Sequence, residues 1–148
     1  MSQSRLILSA GSLLAAILLA VAAAIVVGRS VVAADTGAML KFKPDKHDFG
    51  KVTATNDSAP LIVTVTNKST SAPINFTSIV AAETFSIQSD KCSGSPLAPG
   101  RSCKVEVVFH PMVTGKVSAT NGLTFTDSAQ DSPQQVELEG LGTVGSFF

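Results

Sequence analysis

The 148-residue sequence contains no tryptophan, no tyrosine, two histidines and two cysteines, and only 15% of its residues are charged. The missing aromatics exclude the core tryptophan and the tyrosine corner of antibody-type domains. Two histidines leave little room for a hydrolytic site, which needs a nucleophile, a histidine base and an orienting acid in contact. Two cysteines alone cannot make a structural zinc site. We therefore expect a protein that is not an enzyme and holds no cofactor.

The sequence also has no excess of positively charged residues. The 11 Lys and Arg residues balance the 11 Asp and Glu residues over the whole chain. Without Arg5 and Arg29 of the N-terminal segment, the remaining chain has a net charge of −2, because all the acidic residues lie after position 34. A nucleic-acid-binding protein needs a basic patch. We therefore expect no nucleic-acid partner.

The sequence does contain an uncharged apolar run, from Leu6 to Val27. A short polar segment with one cation precedes it, and the small residues Val32-Ala33-Ala34 follow it, which is the order of an export signal. As a helix this run would span about 33 Å, which is enough to cross a bilayer core of about 30 Å. A buried core helix is a weaker interpretation, because the run has no polar face.

Residues 1–34 are accordingly predicted to be an apolar export helix, either a cleaved signal peptide or an N-terminal membrane anchor formed by residues 6–27. Both interpretations place the domain at residues 35–148 outside the cytoplasm, either secreted or periplasmic, or held at the membrane. Contact with a membrane is expected only through the uncleaved N-terminal segment.

Cys92 and Cys103 both follow the export segment, with ten residues between them. An even number of cysteines in an exported chain favours a disulfide. The ten intervening residues include two prolines and two glycines, so they can turn the chain back on itself. Free buried thiols are one alternative and redox activity is another, although the Cys-x-x-Cys spacing of redox motifs is absent.

Short alternating apolar segments follow one another through residues 35–148, separated by turns rich in glycine, proline, serine and asparagine. The clearest is Leu61–Thr66, where β-branched residues alternate between two faces. The run from Cys103 to Phe109 places apolar and polar residues on opposite faces, as in a half-buried strand. Asn121-Gly122 lies between two further alternating segments and predicts a hairpin turn. These seven or eight strands, with no helical periodicity, predict an all-β antiparallel sandwich.

Phenylalanines are scattered at about one per predicted strand. This distribution is typical of core anchors rather than of an exposed stacking platform. The predicted core phenylalanines are Phe42, Phe49, Phe76, Phe85, Phe109 and Phe125.

Several motifs occur in an order that resembles one known family. They are His47-Asp48-Phe49-Gly50-Lys51-Val52, Val63-Thr64-Val65-Thr66-Asn67, Cys92 with Leu97-Ala98-Pro99-Gly100-Arg101-Ser102-Cys103, Val105 to Phe109, Pro111 to Gly115, and Leu138-Glu139-Gly140-Leu141-Gly142. Together they resemble the abnormal-spindle/hydin-type (ASH) immunoglobulin-like domain, and a similar module in exported bacterial proteins is called the choice-of-anchor D domain. The resemblance implies an immunoglobulin-like sandwich of about seven strands and a non-enzymatic role in adhesion, scaffolding or surface display.

Within these motifs, Gly50, Gly100 and Gly115 fit turn positions that allow a positive φ, and Pro99 suits the turn position before Gly100. We predict no catalytic residue. The leading functional hypothesis is an extracytoplasmic binding or structural module that offers a sheet face or edge strand to a protein partner, such as an envelope or surface protein.

The alternative hypothesis is a small periplasmic ligand carrier or copper-binding protein. Its candidate ligands are His47, His110 and Met112, since histidine and methionine together suit copper(I).

Overall fold

The structure is a computed structural model, and it describes residues 39–145. The predicted export helix at residues 1–34 lies outside the described residues. Residues 39–145 form no membrane-crossing helix. The strands of this range are β1 (Leu40–Lys43), β2 (Lys46–Thr53), β3 (Leu61–Asn67), β4 (Phe76–Ala81), β5 (Phe85–Asp90), β6 (Ser102–Phe109), β7 (Gly115–Asp127) and β8 (Gln134–Thr143).

The strands form two sheets of four, which confirms the predicted all-β, immunoglobulin-like sandwich. The first sheet has the order β1-β3-β6-β5, and the second has the order β2-β8-β7-β4. Every neighbouring pair is antiparallel except β2 and β8, which are parallel. The strand count is eight because the first segment is divided at Pro44, so that β1 pairs in the first sheet and β2 pairs in the second.

The core lies between the two sheets, where alternate residues of each strand point inward. Val63 and Val65 of β3 are fully buried, as are Leu123 and Phe125 of β7. The predicted phenylalanine anchors are all in this core or packed against it. Gly50, Gly100 and Gly115 have φ angles of 68°, 71° and 135°, so the predicted positive φ is confirmed at each.

The predicted hairpin at Asn121-Gly122 is wrong, because β7 runs without interruption from Gly115 to Asp127. Both halves of β7 pair with β8, and the register shifts between Ala119 and Leu123. Asn121-Gly122 therefore lies in a bulge rather than in a turn. A Cβ atom on Gly122 would lie 2.5 Å from the Cβ of Leu138. This glycine is thus needed for the close approach of two strands, a requirement that a local turn signal does not distinguish from a hairpin.

Gly142 of β8 packs against the segment that joins β6 to β7. A Cβ atom there would overlap the carbonyl oxygen of Val113 and lie 3.0 Å from the Cβ of Pro111. We expect Gly142→Ala to lower the free energy of unfolding by about 1–3 kcal/mol, the usual cost of overpacking, because a backbone carbonyl would have to move. Gly145→Ala is the matched control, since its nearest contact would be 3.5 Å away. Urea unfolding of the two variants measures the difference, and equal midpoints would contradict the prediction.

Candidate interaction site at a sheet edge

The structure joins Cys92 and Cys103 through a disulfide with an Sγ–Sγ distance of 2.06 Å. Cys92 follows the end of β5 and Cys103 belongs to β6, so the bridge ties both ends of the intervening loop to the first sheet. Asp90 adds a second restraint, because its Oδ1 accepts hydrogen bonds from the backbone N–H groups of Cys92 and Ser93 at 2.7 and 3.0 Å. Burial of the carboxyl raises the pKa of Asp90, but the side-chain hydrogen bond with Ser93, followed by the backbone bonds from Ser93 and Cys92, holds it below its usual value. The loop between the cysteines is consequently well anchored.

Asn67, at the end of β3, connects this loop to the segment that leads into β4. Its side chain is fully buried. Its Nδ2 donates to the carbonyl oxygens of Ala72 and Leu97, both at 2.9 Å, and its Oδ1 accepts from the N–H of Ser69 at 2.8 Å. This role of Asn67 does not show in the sequence, because an asparagine after a strand is also typical of an exposed turn.

The strand β4 lies at the edge of the second sheet and pairs only with β7 there. The N–H of Ala82, just after β4, donates to the carbonyl of Gly122, so this residue faces β7. Successive residues in an antiparallel strand direct their backbone groups to alternate sides. The N–H and C=O groups of Ile79 and Ala81 therefore point to the outer edge, where they can pair with another extended chain.

The four edge strands in residues 39–145 differ in how well they are protected against pairing. Short length, charged residues and bulges all make an edge a poor partner. β1 has only four residues, of which two are exposed lysines. β2 contains two lysines, an aspartate and a bulge, and β5 has a bulge in its middle and ends in an aspartate. β4 has a bulge between Phe76 and Ser78, but it alone of the four has no charged residue, and its register is regular from Ser78 to Ala81.

The outward face of the second sheet has a charged half beside β2 and β8 and an uncharged half beside β4. Beside β2 and β8, Lys46 Nζ lies 2.9 Å from Glu137 Oε1 and 3.0 Å from Glu139 Oε1. The hydrogen bond to Glu137, followed by that to Glu139, raises the pKa of Lys46, and the bond from Lys46 lowers the pKa of Glu139. Beside β4 the outward face has no charge, since Val80 pairs with Thr124 and Ser78 with Thr126. The edge of β4 thus borders a neutral half of the sheet.

A cleft of about 150 Å³ lies at the start of β4. It is lined by Asn75, Phe76, Gly94, Ser95 and Pro96. Phe76 is the first residue of β4 and Asn75 precedes it, whereas Gly94, Ser95 and Pro96 belong to the loop between the two cysteines. The edge of β4 and this cleft together are called the β4 site below.

A wider depression of about 300 Å³ lies on the charged half of the second sheet. It includes Gly50, at the bulge of β2, and the outward-facing Leu141 of β8. Its Lys116 has a carboxylate partner, Glu139 Oε2, at 3.5 Å. Unlike the cleft beside β4, this depression has charged lining residues, namely Asp48, Lys51 and Lys116.

The three candidate copper ligands lie in two places. The ring of His47 on β2 packs edge-on against Phe49, with centroids 4.8 Å apart. His110 follows β6, and its Nδ1 lies 2.7 Å from Asp57 Oδ1. Met112, two residues further on, is 66% exposed. No group of three His, Cys, Asp or Glu side chains suited to a metal occurs in the described part of the chain. Copper binding by the histidines and Met112 stays a prediction.

Comparison with protein families gives one match over most of the chain. The model of the HYDIN/CFA65/VesB-like Ig-like domain matches residues 38–141. A comparison with curated proteins gives no match.

Several solved structures resemble the fold. The VesB protease of Vibrio cholerae is 19% identical with a TM-score of 0.55, and the similarity covers 69% of this chain and 31% of VesB. The ASH/PapD-like domain 7 of human CEP192 is 11% identical with a TM-score of 0.57, and the similarity covers 75% of this chain and 89% of that domain. The secreted serine protease VesC of Vibrio cholerae is 22% identical with a TM-score of 0.55, over 73% of this chain and 24% of VesC. The chain thus spans less than a third of either protease.

Proposed function

Because this chain belongs to the HYDIN/CFA65/VesB-like family of Ig-like domains, we propose that it is a non-enzymatic, extracytoplasmic module that binds a protein partner by strand addition at β4. The observation that carries the proposal is the uncharged free edge of β4, with the backbone groups of Ile79 and Ala81 directed outward. In strand addition, main-chain hydrogen bonds supply affinity and side-chain pockets supply specificity. The β4 site offers both.

The non-enzymatic part of the proposal is supported by the extent of the similarity to the two proteases. The shared domain accounts for 31% of VesB and 24% of VesC, so most of each protease chain has no counterpart here. The ASH/PapD-like domain of CEP192, by contrast, is matched over 89% of its length.

The extracytoplasmic part is supported by the disulfide, since such bonds persist in oxidising compartments. The order of polar, apolar and small residues in positions 1–34 supports it too. The similarity to VesC, a secreted protein, is compatible with the same location.

Crosslinking from the edge of β4 tests the proposal. A photoreactive phenylalanine analogue would replace Thr77, which is exposed on β4, or Ile62, which is 47% exposed on β3 of the other sheet. The full chain would be irradiated in the cells that produce it. We expect a discrete protein adduct from position 77 and none from position 62, because β3 is central in its sheet and has no free edge.

A charge placed beside the edge should remove that adduct. Val80 is 53% exposed and faces outward, so Val80→Lys adds an edge charge without disturbing the core. We expect at least a tenfold loss of the adduct from position 77 with Val80→Lys and little change with the control Ile62→Lys. Equal adducts from both positions, or an adduct unaffected by Val80→Lys, would contradict strand addition at β4.

A further inference from the structure

We infer that the partner segment is uncharged, runs antiparallel to β4 and ends in an aromatic side chain that fills the cleft of the β4 site. This inference rests on the proposed function and specifies the chemistry of the partner. It follows from three features of the described residues: the path of the disulfide loop, the size and lining of the cleft, and the fixed position of the cleft wall.

The path of the disulfide loop sets the direction. Just before β4, Ile74 forms an antiparallel bridge with Leu97, and each residue donates its N–H to the carbonyl of the other. Asn75, the next residue, instead pairs with Ser128 on the β7 side: the N–H of Ser128 donates to the carbonyl of Asn75, and the N–H of Asn75 donates to the Oγ of Ser128. Leu97 thus lies on the side of Ile74 that faces away from β7, and the bulge between Phe76 and Ser78 continues this side into the free edge at Ile79 and Ala81.

The disulfide loop pairs with this side of the chain at Ile74, before β4, so a partner segment would pair with the free edge of β4 that follows. If it runs antiparallel to β4, as Leu97 runs antiparallel to Ile74, its C-terminal end reaches Ser95 and the cleft. Antiparallel pairing is also slightly more stable per residue than parallel pairing, and it continues the pattern of β4 and β7. The geometry therefore places the C-terminal end of the segment at the cleft.

The size and lining of the cleft specify the side chain. A cavity of about 150 Å³ is large enough for a benzene-sized ring. Phe76 and Pro96 provide apolar surface, while Asn75 and Ser95 provide polar groups. None of the five lining residues is charged, so a charged side chain would lose hydration without gaining a counterion. A tyrosine suits this lining best, because it has an apolar ring and a polar tip.

The cleft wall is held in position before any partner arrives. The disulfide closes the loop that contributes Gly94, Ser95 and Pro96, and the buried Asn67 Nδ2 holds the carbonyl of Leu97 at 2.9 Å. A wall fixed in advance does not have to be ordered on binding, and this lowers the entropic cost of the complex. The cleft is accordingly suited to select one anchoring side chain.

Three synthetic peptides test the inference. Each has eight alternating threonine and valine positions, a Gly-Lys-Lys tail at its N-terminus for solubility and an amidated C-terminus. One carries tyrosine at the C-terminal position, one carries it at the first position after the tail, and one carries none. They would be titrated into the ¹⁵N-labelled exported protein, produced with its own N-terminal segment, and followed by amide chemical shifts.

We expect the C-terminal tyrosine peptide to shift the amides of Ile79, Ala81, Gly94 and Ser95 and to bind with a Kd at least fivefold lower than the other two. Ser95→Phe, which places a ring in the cleft, should remove this preference. The control Ser86→Phe, at an exposed position on β5, should keep it.

The outcomes separate the inference from the proposed function. Equal Kd values with shifts at Ile79 and Ala81 would overturn the aromatic anchor and leave strand addition standing. Tighter binding of the peptide with the N-terminal tyrosine would overturn the antiparallel direction. No shift at Ile79 and Ala81 with any peptide would overturn both the inference and strand addition at β4.

Discussion

Asn67→Asp should lower the free energy of unfolding by about 3–5 kcal/mol, the usual cost of a buried charge left without a partner. The replacement keeps the shape of the side chain but removes the amide donor. The carbonyl oxygens of Ala72 and Leu97, which now accept from Nδ2, would then face a carboxylate oxygen. Because the Asn67 side chain is fully buried, the introduced carboxylate would lose its hydration.

The effect should depend on pH. Burial raises the pKa of a carboxyl group, so the introduced acid would have a higher pKa in the folded than in the unfolded state. Such a group destabilises the fold least below its unfolded pKa and progressively more as the pH rises through its folded pKa. We therefore expect Asn67→Asp to be more harmful at pH 7 than at pH 4, where the protonated acid can donate to one of the two carbonyls.

Thermal and urea unfolding at both pH values measure this loss. At about 4–8 °C per kcal/mol for a domain of about 100 residues, the Tm should fall by more than 10 °C at pH 7. Asn121→Asp is the matched control, because Asn121 is exposed in the bulge of β7 and its change should stay within about 0.5 kcal/mol. Equal losses for the two variants would show that Asn67 is not the connection between the loops.

Removing the disulfide should cost about 3 kcal/mol of unfolding free energy, the entropic value for closing a loop of this length. Cys92 and Cys103 are 11 positions apart, and Cys92 is 3% exposed within the core cluster. Alanine at both positions removes the bridge and a small amount of core volume. The loop that forms one wall of the cleft would then depend mainly on Asn67 and on the bridge between Ile74 and Leu97.

Urea unfolding of the wild type with and without reductant, beside the double alanine variant, separates the two contributions. We expect the reduced wild type and the double variant to lose similar stability. The C-terminal tyrosine peptide should lose its preference in both, while the Thr/Val peptide without tyrosine should bind unchanged. A midpoint that does not move on complete reduction would contradict a stabilising role for the bridge.

The sequence predicted the sandwich well because inward and outward positions in a strand follow a local period of two. The phenylalanine anchors and the resemblance to the ASH domain pointed to the same fold, and the family match confirms it. β2 was identified only as a motif, since its lysines, aspartate and bulge hide the alternation that marks a strand. Asn121-Gly122 was misread because the pairing of both halves of β7 with β8 overrides a local preference.

The β4 site could not be predicted in the same way. An edge is defined by which strands pair, and that order depends on contacts between residues far apart in the sequence. Phe76 and Ser95 form one cleft only because the loop between the cysteines folds back beside the start of β4. The signal available in the sequence was the absence of charge in Phe76–Ala81, which becomes informative once the strand is known to be an edge.

The parallel pairing of β2 with β8 also has a mechanical consequence. Six residue pairs join these strands, from Lys46 with Glu137 to Thr53 with Thr143. The entry of the chain into β2 and its exit from β8 therefore lie at opposite ends of the same ladder. A pull between Lys46 and Gly145 would act along the strands and load these hydrogen bonds together in shear, instead of opening them one after another. A domain built in this way resists extension until the whole ladder breaks in one step, and its lifetime under force is governed by that unfolding rate.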